Sequence, residues 1–148
     1  MKEWTLLEFL KESNRIEGLP GPKIREIEAA EALLALTRMT VEALQVYVSI
    51  IAPGKPLRDR HGLDVRVGDH IAPPGGPDVR AELDRLIFCA NHSTMDAHTL
   101  HIEYEMLHPF MDGNGRSGRL LWLWMREGRA PIGFLHRFYY DTLSRAQR

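Results

Sequence analysis

Proline and glycine clusters divide the chain into short segments, and this division limits the architectures that the chain can form. The clusters lie at Gly18–Pro22, Pro53–Gly54 and Pro73–Pro77, and single breakers follow at Pro109 and Gly128. In most of the intervening segments apolar residues recur every three to four positions, which is typical of amphipathic helices that share one core. We therefore predict an all-α fold.

The helices are expected to form a single domain over residues 1–148, with one short β excursion. Residues 55–77 lack a helical period, and alternation at Val65, Val67 and Ile71 predicts a hairpin there. The predicted helices run from Trp4 to about Gly18, over Ile24–Arg38, from Val41 (after a Thr40 cap) to about Ile51, from Val79 through Ile87, from a Ser93–Asp96 capping box to about Leu107, and over Arg116–Glu127 and Phe134–Ser144.

Composition sets the broad class of protein. The formal net charge of −1 argues against a general nucleic-acid binder. The single cysteine, Cys89, excludes an internal disulfide and fits a reducing compartment. The N-terminal sequence is too acidic for a signal peptide, and the longest apolar run, Leu120–Met125, is too short to span a bilayer. We expect a cytoplasmic protein without nucleic-acid or membrane partners; homo-oligomerisation stays open.

The segment HPFMDGNGRSGR, residues 108–119, concentrates the chemically active side chains. A glycine-rich loop opens directly into a helix, whose free N–H groups and positive dipole end attract anions. Gly113 and Gly115 allow the backbone to approach a ligand closely. Arg116 and Arg119 lie three apart, so both are expected to face the same di- or triphosphate.

Three further residues complete this segment. His108 can accept a proton near neutral pH, and Asp112 is placed to hold Mg²⁺ beside phosphate oxygens. The Asn114 amide can donate to a phosphate oxygen. A base, a metal carboxylate, a phosphate cradle and two arginines together predict phosphoryl or nucleotidyl transfer.

Other interpretations of the same residues are weaker. A plain helix–loop–helix turn has no need of such a mixture. The run GNGRSG fits the dinucleotide fingerprint G-x-G-x-x-G, but no buried strand precedes it. His101, Glu105 and His108 share one helical face, with His92 and His98 nearby, so a zinc hydrolase is a second hypothesis.

The segment resembles the signature of the Fic family, H-x-F-x-[DE]-G-N-G-R-x-x-R. All of its specified positions match: His108, Phe110, Asp112, Gly113, Asn114, Gly115, Arg116 and Arg119. The resemblance implies a Fic fold with a hairpin flap, and Mg²⁺-dependent transfer of AMP from ATP to a Ser, Thr or Tyr hydroxyl of a target protein docked on the flap.

The resemblance also implies a role for each matched residue. His108 is the base, Asp112 the Mg²⁺ ligand and Phe110 the anchor of the loop. The cradle of the α- and β-phosphates is Gly113, Asn114 and Gly115; Arg116 binds the polyphosphate and Arg119 its γ end. Gly115 favours AMP transfer, because the branch of the fold that transfers the γ-phosphate departs at this glycine, commonly with lysine.

A second motif lies in the N-terminal helical segment, residues 1–19. The run from Ser13 through Glu17 to Gly18 resembles the family's inhibitory motif, [ST]-x-x-x-E-[GN]. The resemblance implies that Glu17 pairs with Arg119 and keeps it from the γ-phosphate. Two other functions stay open: removal of AMP, with Glu17 orienting a water, and a non-catalytic, toxin-like binding module.

Overall fold

The computed structural model describes residues 5–130, which form six α-helices and one two-stranded hairpin. The predicted, mostly helical fold with a short hairpin is confirmed. The expected helix at Phe134–Ser144 and the start of the first helix at Trp4 lie outside the described residues. In chain order the elements are α1 (Leu6–Ile16), α2 (Ile24–Leu34), α3 (Val41–Ile51), β1 (Arg66–Val67), β2 (His70–Ile71), α4 (Pro77–His92), α5 (Ala97–Leu107) and α6 (Asn114–Met125).

Helix α2 is shorter than predicted, because it ends at Leu34 and not at Arg38. The residues that follow are bound to other elements. The Leu36 carbonyl accepts the indole N–H of Trp124 at 2.8 Å. The backbone N–H and C=O of Met39 both bond to the Asn91 side chain, each at 2.8 Å. These tertiary bonds draw the chain away from the helical path that its Ala- and Leu-rich composition favours.

The predicted capping box from Ser93 to Asp96 was wrong. Ser93 has φ 53°, ψ 34° and is the C-terminal cap of α4. Asp96 alone caps α5, since its carboxylate accepts the N–H of Thr99 at 2.9 Å. A left-handed residue closes the previous helix here, so Ser93 cannot also begin the next one.

Helix α6 is the centre of the domain. It packs against α1, α2, α3 and α5, while α4 covers the other side of α5. Its segment Leu120–Leu123 is at most 2% exposed. Gly118 permits the close approach of α5, because a Cβ there would lie 2.8 Å from both Tyr104 Cδ1 and Glu105 Oε1. Packing along the whole length of α6 therefore fixes the position of its N-terminal end.

The flap is the antiparallel hairpin β1–β2, in which Arg66 pairs with Ile71 and Val67 with His70. Gly68 lies in its turn with φ 56°, a conformation that glycine adopts without strain. The hairpin is attached to α5 through His70, whose Nε2 lies 2.8 Å from the Met106 carbonyl. No helix within residues 5–130 is both long enough and apolar enough to cross a lipid bilayer.

Candidate active site

The site is built on the corner between α5 and α6. His108 ends α5 in a left-handed conformation, with φ 46° and ψ 66°. Gly113 precedes α6 with φ 81°, and α6 begins two residues earlier than predicted, at Asn114. The first N–H groups of a helix have no carbonyl within it, so those of α6 open toward the corner as an anion site.

The loop between the two helices is braced from inside. Phe110 is 1% exposed, as expected of an anchor, and its backbone pairs with Leu57 in an isolated β-bridge. The Asn114 side chain bonds to both the N–H and the C=O of Phe110, each at 2.8 Å. One N–H and the carbonyl oxygen of this side chain are thus used in shaping the loop, so the predicted donation to a phosphate would have to come from its second N–H.

His108 is held as a neutral imidazole with one free nitrogen. Its Nδ1 contacts the carbonyl oxygen of Glu105, which can only accept, so Nδ1 carries the proton. Burial lowers the pKa of His108, and a positively charged His70 or Arg58 lowers it further. Nε2 is thus left with its lone pair, as a proton acceptor requires.

A cavity of about 450 Å³ lies in front of the corner. His108, Asp112 and Gly113–Arg116 line one side of it, and flap residues 65–67 line another. Asp112 is exposed, and its Oδ1 accepts the N–H of Gly113 at 2.7 Å. A single exposed carboxylate beside a phosphate cradle suits Mg²⁺, which keeps most of its water and takes its other ligands from phosphates.

The two arginines of α6 contact different elements, so the expectation that both face one anion does not hold in this state. Arg116 donates to the carbonyl of Ile51, the last residue of α3, at 2.9 Å and lines the cavity. Arg119 is 3% exposed and is bound to α1. Arg119 can reach a ligand only after its bonds to α1 are broken.

Ser13 on α1 and Glu17 at its C-terminal cap hold Arg119, and Gly18 follows them. Arg119 Nε donates to Ser13 Oγ at 2.8 Å, and Nη2 donates to Glu17 Oε1 at 2.7 Å and to the Ser13 carbonyl at 3.2 Å. Gly18 has φ 69° and closes α1, with its N–H on the Arg15 carbonyl. The helix therefore ends at Ile16 with Glu17 as its C-terminal cap, and the Glu17 side chain extends toward the start of α6.

Gly115 lies directly beneath this ion pair. A Cβ on Gly115 would overlap Glu17 Oε1 and would lie 3.0 Å from Arg119 Nη1. The Glu17 carboxylate therefore lies against the first turn of α6, where the helix dipole favours a negative charge. Glu17 also lines the cavity, so it shares this space with His108.

The predicted face of His101, Glu105 and His108 is not a metal centre. Among residues 5–130, no group of three or more His, Cys, Asp or Glu side chains is arranged to hold a metal ion. His101 is buried with Nδ1 3.1 Å from the Gly118 carbonyl, and burial lowers its pKa to about 3. Burial raises the pKa of Glu105 to about 8, so this carboxyl is protonated at neutral pH. The zinc hypothesis has no support here.

Sequence reasoning missed Arg58 altogether. Its side chain is fully buried and bonds to the carbonyls of Leu107 and His108 at 2.7 and 2.6 Å. A charged residue next to Leu57, within a region predicted to be a loop, was the only signal in the sequence. These two partners lie some fifty residues further along the chain, beyond the reach of local patterns.

Comparison with known proteins identifies the family. The Fic/DOC family profile matches residues 26–125, more than half of the chain. A protein adenylyltransferase Fic of Culex quinquefasciatus is 40% identical over 91 residues, covering 53% of this chain and 18% of the relative. One of the same name from Drosophila mojavensis is 39% identical over 77 residues, covering 46% of this chain and 15% of the relative.

The chain thus spans less than a fifth of the length of these curated relatives. No solved structure gives a significant match. The matched region contains the corner between α5 and α6 and the flap, whereas α1 precedes it. Because the family profile covers most of the described helices, the chain belongs to the Fic/DOC family.

Proposed function

We propose that the protein is an adenylyltransferase that transfers AMP from ATP to a Ser, Thr or Tyr hydroxyl of a target protein. The observation that carries this proposal is the neutral His108, whose free Nε2 lies in one cavity with the N-terminus of α6. The names of the relatives support the reaction class, since they are adenylyltransferases.

The chemistry is a displacement at the α-phosphorus. The target hydroxyl gives its proton to Nε2 of His108, and its oxygen forms a bond to the α-phosphorus. The bond from that phosphorus to the bridging oxygen breaks, and pyrophosphate leaves with the electron pair. The N–H groups of Asn114, Gly115 and Arg116 stabilise the charge on the phosphate oxygens.

Asp112 is the residue that would hold Mg²⁺, which neutralises phosphate charge when it is bound. Arg116 remains beside the polyphosphate, and Arg119 would bind the γ end of ATP. In the observed state Arg119 is already bound to Ser13 and Glu17. ATP that binds without this arginine would place its α-phosphate poorly for attack, and a misplacement of about 1 Å costs about 10²-fold in rate. Glu17 is therefore proposed as a built-in inhibitor.

Removal of AMP is a second candidate, because the Glu17 carboxylate lines the same cavity as His108. In that reaction Glu17 would orient a water that attacks the phosphorus of a protein–AMP ester. The products would be AMP and the free hydroxyl. Glu17 would then serve as an active group of the second reaction as well as an inhibitor of the first.

The test compares purified wild type, Glu17→Gly and Glu17→Gly/His108→Ala, incubated with α-labelled ATP, Mg²⁺ and a cell lysate. We expect protein labelling only with Glu17→Gly, and no labelling from γ-labelled ATP. Glu12→Gln is the control on α1, because it removes a carboxylate that pairs with Arg15 without placing a glycine inside the helix. Labelling that survives loss of His108 would contradict the mechanism.

Two other outcomes assign the alternatives. Release of label from pre-labelled protein by wild type, but not by Glu17→Gly, would support removal of AMP. The absence of both reactions in all variants would support a binding module. A wild type as active as Glu17→Gly would leave the transferase standing and remove the inhibition.

A further inference from the structure

Arg58 connects the flap to the catalytic corner. Its guanidinium donates to carbonyls on both sides: to Leu107 and His108 at the end of α5, at 2.7 and 2.6 Å, and to Leu63 and Pro73, at 3.0 and 2.8 Å. Leu63 and Pro73 flank the hairpin, so both ends of the flap meet on this one group.

The surroundings of Arg58 are unusual for a charged side chain. It is 0% exposed, and its hydrogen-bond partners within residues 5–130 are all backbone carbonyls. Burial lowers its pKa, and the nearby Asp64 carboxylate only partly opposes this. A buried cation without a bonded carboxylate is costly, whereas an apolar side chain of similar volume could fill the same space. The planar donor set of arginine is what the four carbonyls require.

The corner gains a specific benefit from this arrangement. The carbonyls at the C-terminal end of a helix lack partners within the helix and attract cations. Arg58 satisfies two such carbonyls, one of which belongs to His108 itself. His108 has a left-handed backbone, a conformation that is costly for residues other than glycine and that persists only where neighbours enforce it. The backbone N–H of Arg58 also donates to the carbonyl of Pro109, the residue after His108, at 2.8 Å.

We propose that Arg58 is a positioning residue that holds the flap and His108 in one fixed relation, so that a hydroxyl presented by the flap meets Nε2. The inference rests on the proposed transferase function, in which the target docks along the hairpin. Arg58 touches no reacting atom. It acts through the two backbone segments that it joins. Without Arg58, a target docked on the flap should no longer be held in a fixed position relative to His108.

The test uses Arg58→Met and Arg58→Lys in the full chain. Arg60→Met is the control, since Arg60 is exposed and two residues away. Hydrogen exchange and NMR titration of the His108 ring need no activity, so they test the coupling even if the transferase assignment fails. We expect faster exchange in Arg58→Met at the N–H groups of Gly75, Gly76 and Met111, with helices α3 and α4 unchanged.

The pKa of His108 should rise in Arg58→Met, because a nearby positive charge is lost, and should stay in place in Arg58→Lys. The other charged groups that act on His108 are His70 from the flap and Glu17 from α1. The ring titrations therefore use the Arg58 variants in the wild-type background, which keeps both His70 and Glu17. A general loss of structure would instead speed hydrogen exchange throughout the protein. It would not change the pKa of His108 according to whether residue 58 keeps its positive charge.

Activity is measured in the Glu17→Gly background as labelling of lysate protein from α-labelled ATP. We expect Arg58→Met to lose about 10²-fold in labelling and Arg58→Lys about tenfold, with affinity for a non-cleavable ATP analogue little changed. Labelling within twofold of the parent in both folded variants would overturn the proposal. So would uniform exchange, or a parallel loss of nucleotide affinity. If Arg58→Met does not fold, Arg58→Lys decides.

Discussion

Ser13 contributes to the restraint on Arg119 independently of the Glu17 carboxylate. It is 2% exposed, and its hydroxyl accepts the Nε–H of Arg119 at 2.8 Å. Ser13 also offers its backbone carbonyl, which no substitution removes. The proposed inhibition therefore draws on at least three contacts from α1 and its C-terminal cap, and one of these is the ion pair.

Replacing the Ser13 hydroxyl should release inhibition in part. Hydrogen bonds to charged groups contribute about 1.5–3 kcal/mol, so Ser13→Ala should raise AMP transfer above wild type and leave it below Glu17→Gly. Labelling from α-labelled ATP measures the effect. Ser49→Ala serves as the control, because its hydroxyl bonds only to the Val46 carbonyl on α3. Activity of Ser13→Ala equal to that of wild type would show that the hydroxyl has no part in inhibition.

His108 should set the acid limb of the pH profile. A base acts when deprotonated, so transfer by Glu17→Gly should fall as pH drops through the pKa of His108, which burial holds below its usual range. Because positive charge on His70 contributes to that lowering, His70→Gln should raise the pKa and move the acid limb to higher pH. Rates near pH 8 should be unchanged. Initial rates of protein labelling between pH 5 and 8.5 check this, and an unmoved limb would remove His70 from the account.

Helix α1 is held on α6 by apolar packing, and this packing is what presents Ser13 and Glu17 to Arg119. The rings of Phe9 and Trp122 lie nearly parallel, with centroids 6.3 Å apart, and both are buried. Thr5 caps the start of the helix and Gly18 closes its end. The motif proposed as inhibitory thus lies at the C-terminal end of an amphipathic helix that has its own packing contact with α6.

Weakening that anchor should raise activity without touching the inhibitory residues. Phe9→Ala removes a buried aromatic ring, a change that typically costs about 3–5 kcal/mol. We expect faster hydrogen exchange in α1 and more AMP transfer than in wild type, provided that the remaining helices stay folded by circular dichroism. Leu7→Ala is the matched control, because Leu7 is 42% exposed on the same helix. Faster exchange in α1 without any gain in AMP transfer would show that inhibition does not depend on the docking of α1 on α6.

The elements that sequence could predict are those with local causes. The Gly18 stop, the Thr40 cap and the loop before α6 follow from residues that are neighbours in the chain. The end of α2 was misplaced because Asn91, more than fifty residues away, binds Met39. That error depends on contacts between segments distant in sequence, whereas the error at Ser93 is local, because the C-terminal cap of α4 was interpreted as the start of α5.

The same division applies to the site. Its loop residues were identifiable from the contiguous motif at residues 108–119. The contact of Glu17 with Arg119 agrees with what the resemblance of the second motif, Ser13 to Gly18, implies. The hydrogen bonds of Arg58 and the burial of Glu105 cannot be predicted from neighbouring residues in the sequence. Each arises from the way distant segments pack together. Gly118 is a similar case, because only the distance between α5 and α6 explains it.

Glu105 is expected to make the stability of the folded protein depend on pH. The carboxyl is buried on α5, and its Oε1 has no hydrogen-bond partner in the described part of the chain. Burial is the largest cause of its raised pKa; the Glu17 charge adds to the effect and Arg119 opposes it. In the unfolded chain the same group ionises near its ordinary value, about 4.3. Folding is therefore opposed wherever the unfolded chain releases this proton and the folded protein keeps it.

The sign of the effect follows from linkage. A raised pKa contributes stability that is fully present below the unfolded value and is lost as pH rises through the folded value, here about 8. Glu105→Gln removes this loss, so the free energy of unfolding of the variant minus that of wild type should increase between about pH 4.5 and 8 and then level off. Urea unfolding from pH 4.5 to 9 measures the difference. Because both proteins contain His101, the effect of His101 on stability, which has the opposite sign at acid pH, cancels in this difference. Glu103→Gln, on the exposed side of α5, is the control. A flat difference for Glu105→Gln, or an equal rise for Glu103→Gln, would show that the buried carboxyl does not govern the pH dependence.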